Sequence, residues 1–227
     1  NLTKSVDSGQ GSSGDTDIIF LTGVNQKHSG VEIETNYMVN DMLDLMFVAS
    51  FGNWKFDGDA EGTYQENEYN SEGQVVGFET TDYAYALDGL YVGDMPQTAY
   101  VLGVTLKPVK GLMVQAIHKT YDKNYSDWSP DAREFDGTND DADRSQVWEA
   151  PGYSKLDLHM SYKLPQVKGL DMTLNGHIFN VFDEVFVQDA VDNSRYNSYG
   201  SKAHLAHNAE VFLGTPRYAN IGLTINF

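Results

Sequence analysis

Seven stretches of this chain carry strand character, most of them alternating apolar and polar side chains with period two, and the connections between them are alternately short and long. Period two sends successive side chains to opposite faces of a strand, so such a stretch predicts one apolar and one polar face. The clearest is 153–164, where Leu156, Leu158, Met160, Tyr162 and Leu164 oppose Lys155, Asp157, His159, Ser161 and Lys163. Ionisable groups at every second position demand water on that side. The same reading predicts strands over 43–57 (Leu43, Leu45, Phe47, Ala49, Phe51 on one face), 97–107 (Tyr100, Leu102, Val104, Leu106) and 170–183 (Leu170, Met172, Leu174, Ile178). In the last, 220–227, Ile221, Leu223, Ile225 and Phe227 share a face. Alternation is weakest in 112–125, whose faces the pattern leaves unassigned. Residues 17–39 read either as one long strand bulged at Gly30 or as two strands joined at 27–29. The polar, small-residue segment 1–16 reads as a loop.

The connections decide between classes of all-β fold. Turns at Asn40-Asp41, 108–111 and 165–169 are a few residues long, whereas 58–96, 126–152 and 184–216 are long loops, and the two kinds strictly alternate. Charge is sorted the same way. The first long loop has nine acids and no base, the second eight acids against Arg133 and Arg144, the third four against Arg195 and Lys202: a net −17 of the chain's −18. Lys107, Lys110 and Lys168 lie at the short turns. An outer-membrane barrel carries short turns at one rim and long loops at the other, while a soluble sandwich has no reason to sort them. The expected fold is therefore a transmembrane antiparallel β-barrel. Seven strands would leave two open edges in lipid, each unsatisfied backbone group costing several kcal/mol. The 227 residues thus read as a C-terminal segment of a larger barrel, beginning without Met inside a longer polypeptide.

Composition excludes other classes. There is no apolar run of the roughly 18 residues a spanning helix needs, no cysteine for disulfides or thiolate metal sites, and too much negative charge for nucleic-acid binding. No Ser-His-Asp spacing, paired carboxylate or phosphate loop supports an enzyme.

The segments 27–34 (KHSGVEIE) and 49–55 (ASFGNWK) resemble the barrel of TonB-dependent outer-membrane receptors. Ile178-Phe179-Asn180-Val181-Phe182-Asp183 is similar to that family's penultimate-strand N-L-F-D segment, with Val181 in place of Leu, and 212–217 to its closing loop. The stretches 91–97 (YVGDMPQ) and 125–130 (YSDWSP) resemble a branch common in the Bacteroidetes. The resemblance implies a 22-stranded barrel of which this chain holds about seven strands, a plug domain absent from this chain, and TonB-driven uptake of a scarce nutrient: a siderophore-iron complex, vitamin, oligosaccharide or peptide. Implied partners are TonB with its inner-membrane energising complex, outer-membrane lipid and lipopolysaccharide, the barrel assembly machinery and a surface lipoprotein. The end of the chain matches the assembly signal of such barrels on Asn220, Gly222, Ile225 and Phe227, with Gly222 admitting a close partner strand and Phe227 placing a ring at the interface. The alternative is a surface-binding or secretion-associated outer-membrane barrel that transports nothing; a third class, a soluble β-sandwich, would stay folded without detergent.

Candidate sites lie in the long loops. Tyr83, Tyr85, Trp128, Trp148, Tyr196 and Tyr199 supply rings for stacking on a sugar or siderophore, or else pack the loops against themselves. The acidic run 136–143 invites calcium, but it lacks the spacing and distal Glu of an EF-hand and reads as a solvated loop. His204, His207 and Glu210 could ligate a metal, yet hydrogen bonding within the loop fits better. His159 and His177 fall on adjacent strands of the wet face and read as wall-lining residues. No cofactor or metal is expected.

Overall fold

The computed structural model describes residues 2–6, 17–135, 142–166, 169–193 and 203–226. Along the chain, β1 (Leu2–Val6) and β2 (Asp17–Thr22) precede the hairpin of β3 (Gln26–Asn40) and β4 (Leu43–Phe56). A second hairpin, β5 (Ala60–Tyr69) and β6 (Val75–Tyr85), leads to β7 (Thr98–Val109) and β8 (Leu112–Asp122). Then come the short β9 (Asn124–Tyr125), a one-turn helix α1 (Pro130–Arg133), β10 (Glu134–Phe135) and β11 (Glu149–Ala150). After β12 (Tyr153–Lys163) and β13 (Asp171–Phe179), the pair β14 (Val187–Val191) and β15 (Glu210–Leu213) precedes β16 (Tyr218–Asn226). The fold is nearly all β and antiparallel.

Seven strands form one sheet in the order β16-β13-β12-β8-β7-β4-β3, a meander in which every wall strand pairs with the next wall strand in sequence. Six of these strands coincide with stretches expected from the sequence, and β3 is the C-terminal part of the seventh, 17–39. Opposite residues of an antiparallel pair share a face, and the register sorts most side chains by polarity, with His118 and Thr120 on the apolar face and Val48, Val101 and Ile117 on the polar one as exceptions. Val31, Phe51, Tyr100 and Leu102 belong to the apolar face, with Leu156, Leu158, Ile178, Leu223 and Ile225. Glu32, Glu34, Asp44, Thr105, Gln115, Asp157, His159, His177, Asn220 and Thr224 belong to the polar one. Register also assigns the faces of β8 that alternation leaves open: Gln115, Ile117 and Lys119 lie opposite His159, Asp157 and Lys155 on the polar side. The apolar face is bare. Val31, Ile33, Phe47, Phe51, Leu102, Val104, Leu106, Ile178, Ile221, Leu223 and Ile225 are all exposed.

Three short turns close one rim. Asn40 Oδ1 accepts from the Met42 amide at 2.8 Å, the Asx geometry that makes Asn a turn former. Gly111 takes φ 86 in the second turn. The described parts of the long connections at the other rim form a folded cap that contains strands. The segment 58–96, expected to lack strands, forms the β5–β6 hairpin, and β1, expected as loop, pairs with β2 in the five-stranded sheet β1-β2-β5-β6-β10. The hairpin tip is an Asx turn: Asn70 Oδ1 accepts from the amides of Glu72 and Gln74 at 3.0 and 2.9 Å.

Two local expectations are corrected. The stretch 17–39 is two strands, broken at Gly23-Val24-Asn25 rather than at 27–29, so the β3–β4 ladder of the wall continues beyond the break as the β2–β5 ladder of the cap. Gly30 is no bulge; the register runs straight through it and slips instead at Met38/Asn40. Its lack of a side chain serves close approach, since a Cβ there would sit 2.6 Å from the Phe51 carbonyl oxygen. At Gly222 the reverse holds: it lies opposite Asn175, and a Cβ would meet nothing within 4 Å. The assembly-signal residues Asn220 and Gly222 face the polar side of β16 and Ile225 the apolar side; Phe227 lies outside the described residues.

Candidate functional site

The cap is built from a small apolar core and a set of polar ties. Leu21, Phe56, Ala60, Tyr85, Leu87, Leu90, Tyr125, Trp128 and Val147 pack together, drawing on both the first and second long connections. Trp128 is 2% exposed, with its ring at 6.4 Å from Phe56 and 6.0 Å from Tyr85. Tyr91 stacks on Tyr125 at 4.2 Å with the Lys55 ammonium 4.5 Å over its ring. Gln97, 1% exposed, ties strand to loop: its Oε1 accepts from the Trp54 amide at 2.9 Å and its Nε2 donates to the Trp54 carbonyl at 3.0 Å.

Two ion-pair ties join the three long connections. Arg144 donates twice to Asp59, at 2.9 and 2.8 Å, linking the second connection to the first. The same Asp59 accepts the amides of Leu87 and Asp88, both at 3.0 Å. The Arg144 bonds, opposed in part by burial, hold the Asp59 carboxyl below its ordinary range, and Asp59 in turn raises Arg144. The second tie is buried. Arg133 is fully enclosed at 0% exposure, and its Nη1 donates to the carbonyls of Asp143 and Ser145 at 2.9 and 2.7 Å. Its Nη2 lies 3.5 Å from Asp192 Oδ2, which is equally buried. His204 completes the group: Nδ1 is 2.5 Å from Asp192 Oδ2 and Nε2 is 2.9 Å from Asp143 Oδ2.

Both His204 nitrogens face carboxylates, so the imidazole fits best as a cation donating at each end. The Asp192 bond raises its pKa, with Asp143 adding and burial opposing. Burial drives Arg133 down while Asp143 and Asp192 push it back up, and guanidinium keeps its proton regardless. Two cations and two anions therefore balance inside the cap, joining the second connection to the third. Backbone reinforces the joint, since the Asp127 amide donates to the Ala190 carbonyl and the Asp192 amide to that of Asp127, both at 2.8 Å.

The third connection is anchored by the segment that carries the family resemblance. Asn180 and Asp183 adopt positive φ of 50 and 57, a conformation Asn and Asp tolerate better than other side chains. The Asn180 amide donates to Asp157 Oδ1 at 2.9 Å, its side chain bonds the Glu184 amide and carbonyl at 2.9 Å, and Asp183 Oδ1 accepts from the Arg217 amide at 2.7 Å. The motif is a turn clasp that sends the chain into the cap and receives it back.

Of the rings expected to stack on ligand, Tyr85 and Trp128 are buried in the cap core, so their surfaces are committed to packing. Trp148 is half-buried and its carbonyl accepts from the Ser126 amide and hydroxyl. Tyr83 lines an open cleft of about 880 Å³ with Thr22, Glu61, Thr63, Asp82 and Phe135. Carboxylates beside rings favour neutral or cationic ligands over anions. Tyr196 and Tyr199 lie outside the described residues, as does most of the acidic run 136–143. His204 is held by hydrogen bonds as expected, and His207 is exposed in a one-turn 3₁₀ segment. Among the described residues no group of three or more His, Asp or Glu is placed to hold a metal ion. Arg133 and Gln97 escape sequence reasoning, because a single Arg in an acidic loop and a single Gln at a strand start carry no pattern.

No protein-family model matches the chain, and no curated protein matches it. Among solved structures, the closed-form crystal structure of the ferric-catecholate import receptor Fiu from E. coli K12 is similar at 15% identity and TM-score 0.38, with all of this chain and 30% of that chain covered. The chain therefore spans less than a third of that receptor's length.

Proposed function

We propose that this chain forms wall strands and outer loops of an outer-membrane β-barrel that imports a scarce nutrient, energised through TonB. The observation that carries the reading is the meander with one bare apolar face and one polar face, closed by short turns at one rim and by a folded acidic cap at the other. Water would penalise the exposed Leu, Ile, Val and Phe of that face, at about 1.5–3 kcal/mol per side chain relative to an apolar surrounding. Lipid removes the penalty, while the polar face suits a lumen. The open edges at β3 and β16 are satisfied by further strands of the same barrel. The cap then forms part of the external binding vestibule, with its ligand an iron chelate, vitamin, oligosaccharide or peptide, and no catalytic step is involved.

The test is uptake in cells expressing the full-length protein, with and without TonB, using labelled ferric chelates, corrinoids, oligosaccharides and peptides as probes. Accumulation of one probe class that disappears in both the receptor deletion and the TonB deletion is expected. Surface binding of a probe with uptake unchanged in both deletions would support the non-transporting barrel instead.

A further inference from the structure

Six neighbouring wall strands bring hydrogen-bonding side chains to one level of the polar face. Asp44, Thr105, Gln115, His159, His177 and Asn220 are successive cross-strand partners on β4, β7, β8, β12, β13 and β16. Gln115 donates to Thr105 at 3.0 Å. Beside it the two imidazoles turn to each other, Nδ1 to Nδ1, at 2.9 Å. Phe179 lies against both, with ring centroids 5.3 Å from His159 and 6.0 Å from His177, and is itself stacked on Tyr218 at 4.6 Å. Aromatic packing by Phe179 thus lies against both rings of the pair.

We infer that His159 and His177 form a two-histidine site for a divalent transition metal ion, Cu²⁺ or Ni²⁺, on the polar wall. Imidazole binds such ions through an unprotonated nitrogen at about 2.0–2.1 Å. Two ligand nitrogens in adjacent positions of a square-planar or octahedral ion then lie about 2.9 Å apart, against roughly 3.4 Å for a tetrahedral one, so the bite favours the tetragonal ions. In the metal-free pair one Nδ1 donates to the other, so the two nitrogens share one proton. Binding moves that proton to Nε2 of the same ring, leaving two neutral imidazoles whose Nδ1 lone pairs meet at the metal with no net proton change. The rings bend off the N–N line by rotation about χ2, the soft torsion of a histidine side chain. Water, or a donor of an arriving chelate, fills the remaining positions, and Asn220 stands opposite His177 at the same level. The site rests on register and ring geometry alone, so its failure would leave the transport reading intact.

The experiment titrates Cu²⁺ into full-length protein purified in detergent, with electron paramagnetic resonance and equilibrium dialysis as readouts. A first equivalent with hyperfine structure from two imidazole nitrogens is expected, with affinity falling at least tenfold in His159→Gln and in His177→Gln. His118→Gln, exposed on the opposite, apolar face, should bind as the unaltered protein does. A readout independent of folding of the variants is diethyl pyrocarbonate labelling of the unaltered protein, mapped by mass spectrometry. Stoichiometric Cu²⁺ or Ni²⁺ should protect His159 and His177. Protection of His204 or His207 in their place, or first-equivalent binding undiminished in the double variant, would overturn the assignment.

Discussion

Arg133 shows how much one side chain can organise. It lies in an acidic segment where a base would ordinarily be a solvated surface charge, yet it is enclosed and holds two carbonyls and a buried carboxylate. Removing one member of a buried charge group strands the others, at about 3–5 kcal/mol. Arg133→Ala should therefore open the cap locally, read as loss of hydrogen-exchange protection over 142–147 and 203–209 while the wall strands stay protected. Arg133→Lys should rescue only part of that, because an ammonium cannot span both carbonyls and Asp192. His204 gives the same network a pH dependence. Its pKa is raised in the folded cap, so its contribution is complete below the ordinary imidazole value of about 6.5 and is lost as pH rises through the raised folded value. Protection factors over 203–209, with the base-catalysed intrinsic rate divided out, should fall on the alkaline side, and His204→Gln should flatten that profile. Beyond the expectation that His204 is held by hydrogen bonds, the network is illegible in the sequence, where Arg133, Asp143, Asp192 and His204 are separated by up to 71 residues and share no spacing rule.

At the scale of the element, legibility follows the solvent on each side. The wall strands separate an apolar from a polar environment, so period two marks most of them: six are legible in the sequence to within about four residues, while 17–39 runs the cap strand β2 and the wall strand β3 together and the faces of 112–125 stay unassigned until the register is known. The β5–β6 hairpin has no such contrast. Its residues, rich in Glu, Thr and Tyr, lack any apolar alternation, and its strands pair through the backbone ladder and a Thr63–Asp82 side-chain hydrogen bond of 2.9 Å, a pattern that composition cannot distinguish from a loop. Gly30 misled for a related reason: glycine in a strand signals either a bulge or a close approach, and sequence does not choose between them. The faces themselves can be checked by substitution in β12. Leu158→Arg on the apolar face should destabilise the folded protein by about 2–4 kcal/mol if that face meets lipid near mid-membrane. Ser161→Arg, on the polar face of the same strand, should be tolerated much better. Urea titrations in lipid vesicles would measure both.

For the whole molecule, the two rims differ in kind. One consists of turns a few residues long, the other of a cap with its own core, and nearly all the net charge belongs to the second. An epitope inserted in the turn at Asn40-Asp41 should be unreachable by antibody on intact cells, whereas one inserted at the hairpin tip between Asn70 and Gln74 should be stained. Staining of the first alone would invert the orientation, and staining of both would contradict the placement of the two rims on opposite sides of the membrane. The ties across the cap carry a mechanical consequence. Three independent loops could each swing aside to admit a ligand, but strips joined by Arg144 to Asp59 and by Arg133 to Asp192 and His204 move as one plate. In the receptor proposed above, such a plate would have to move as a whole, against the bonds that tie Phe56 to Leu90 and Gln97 to Trp54, so access past it would be a single motion with a single energetic threshold.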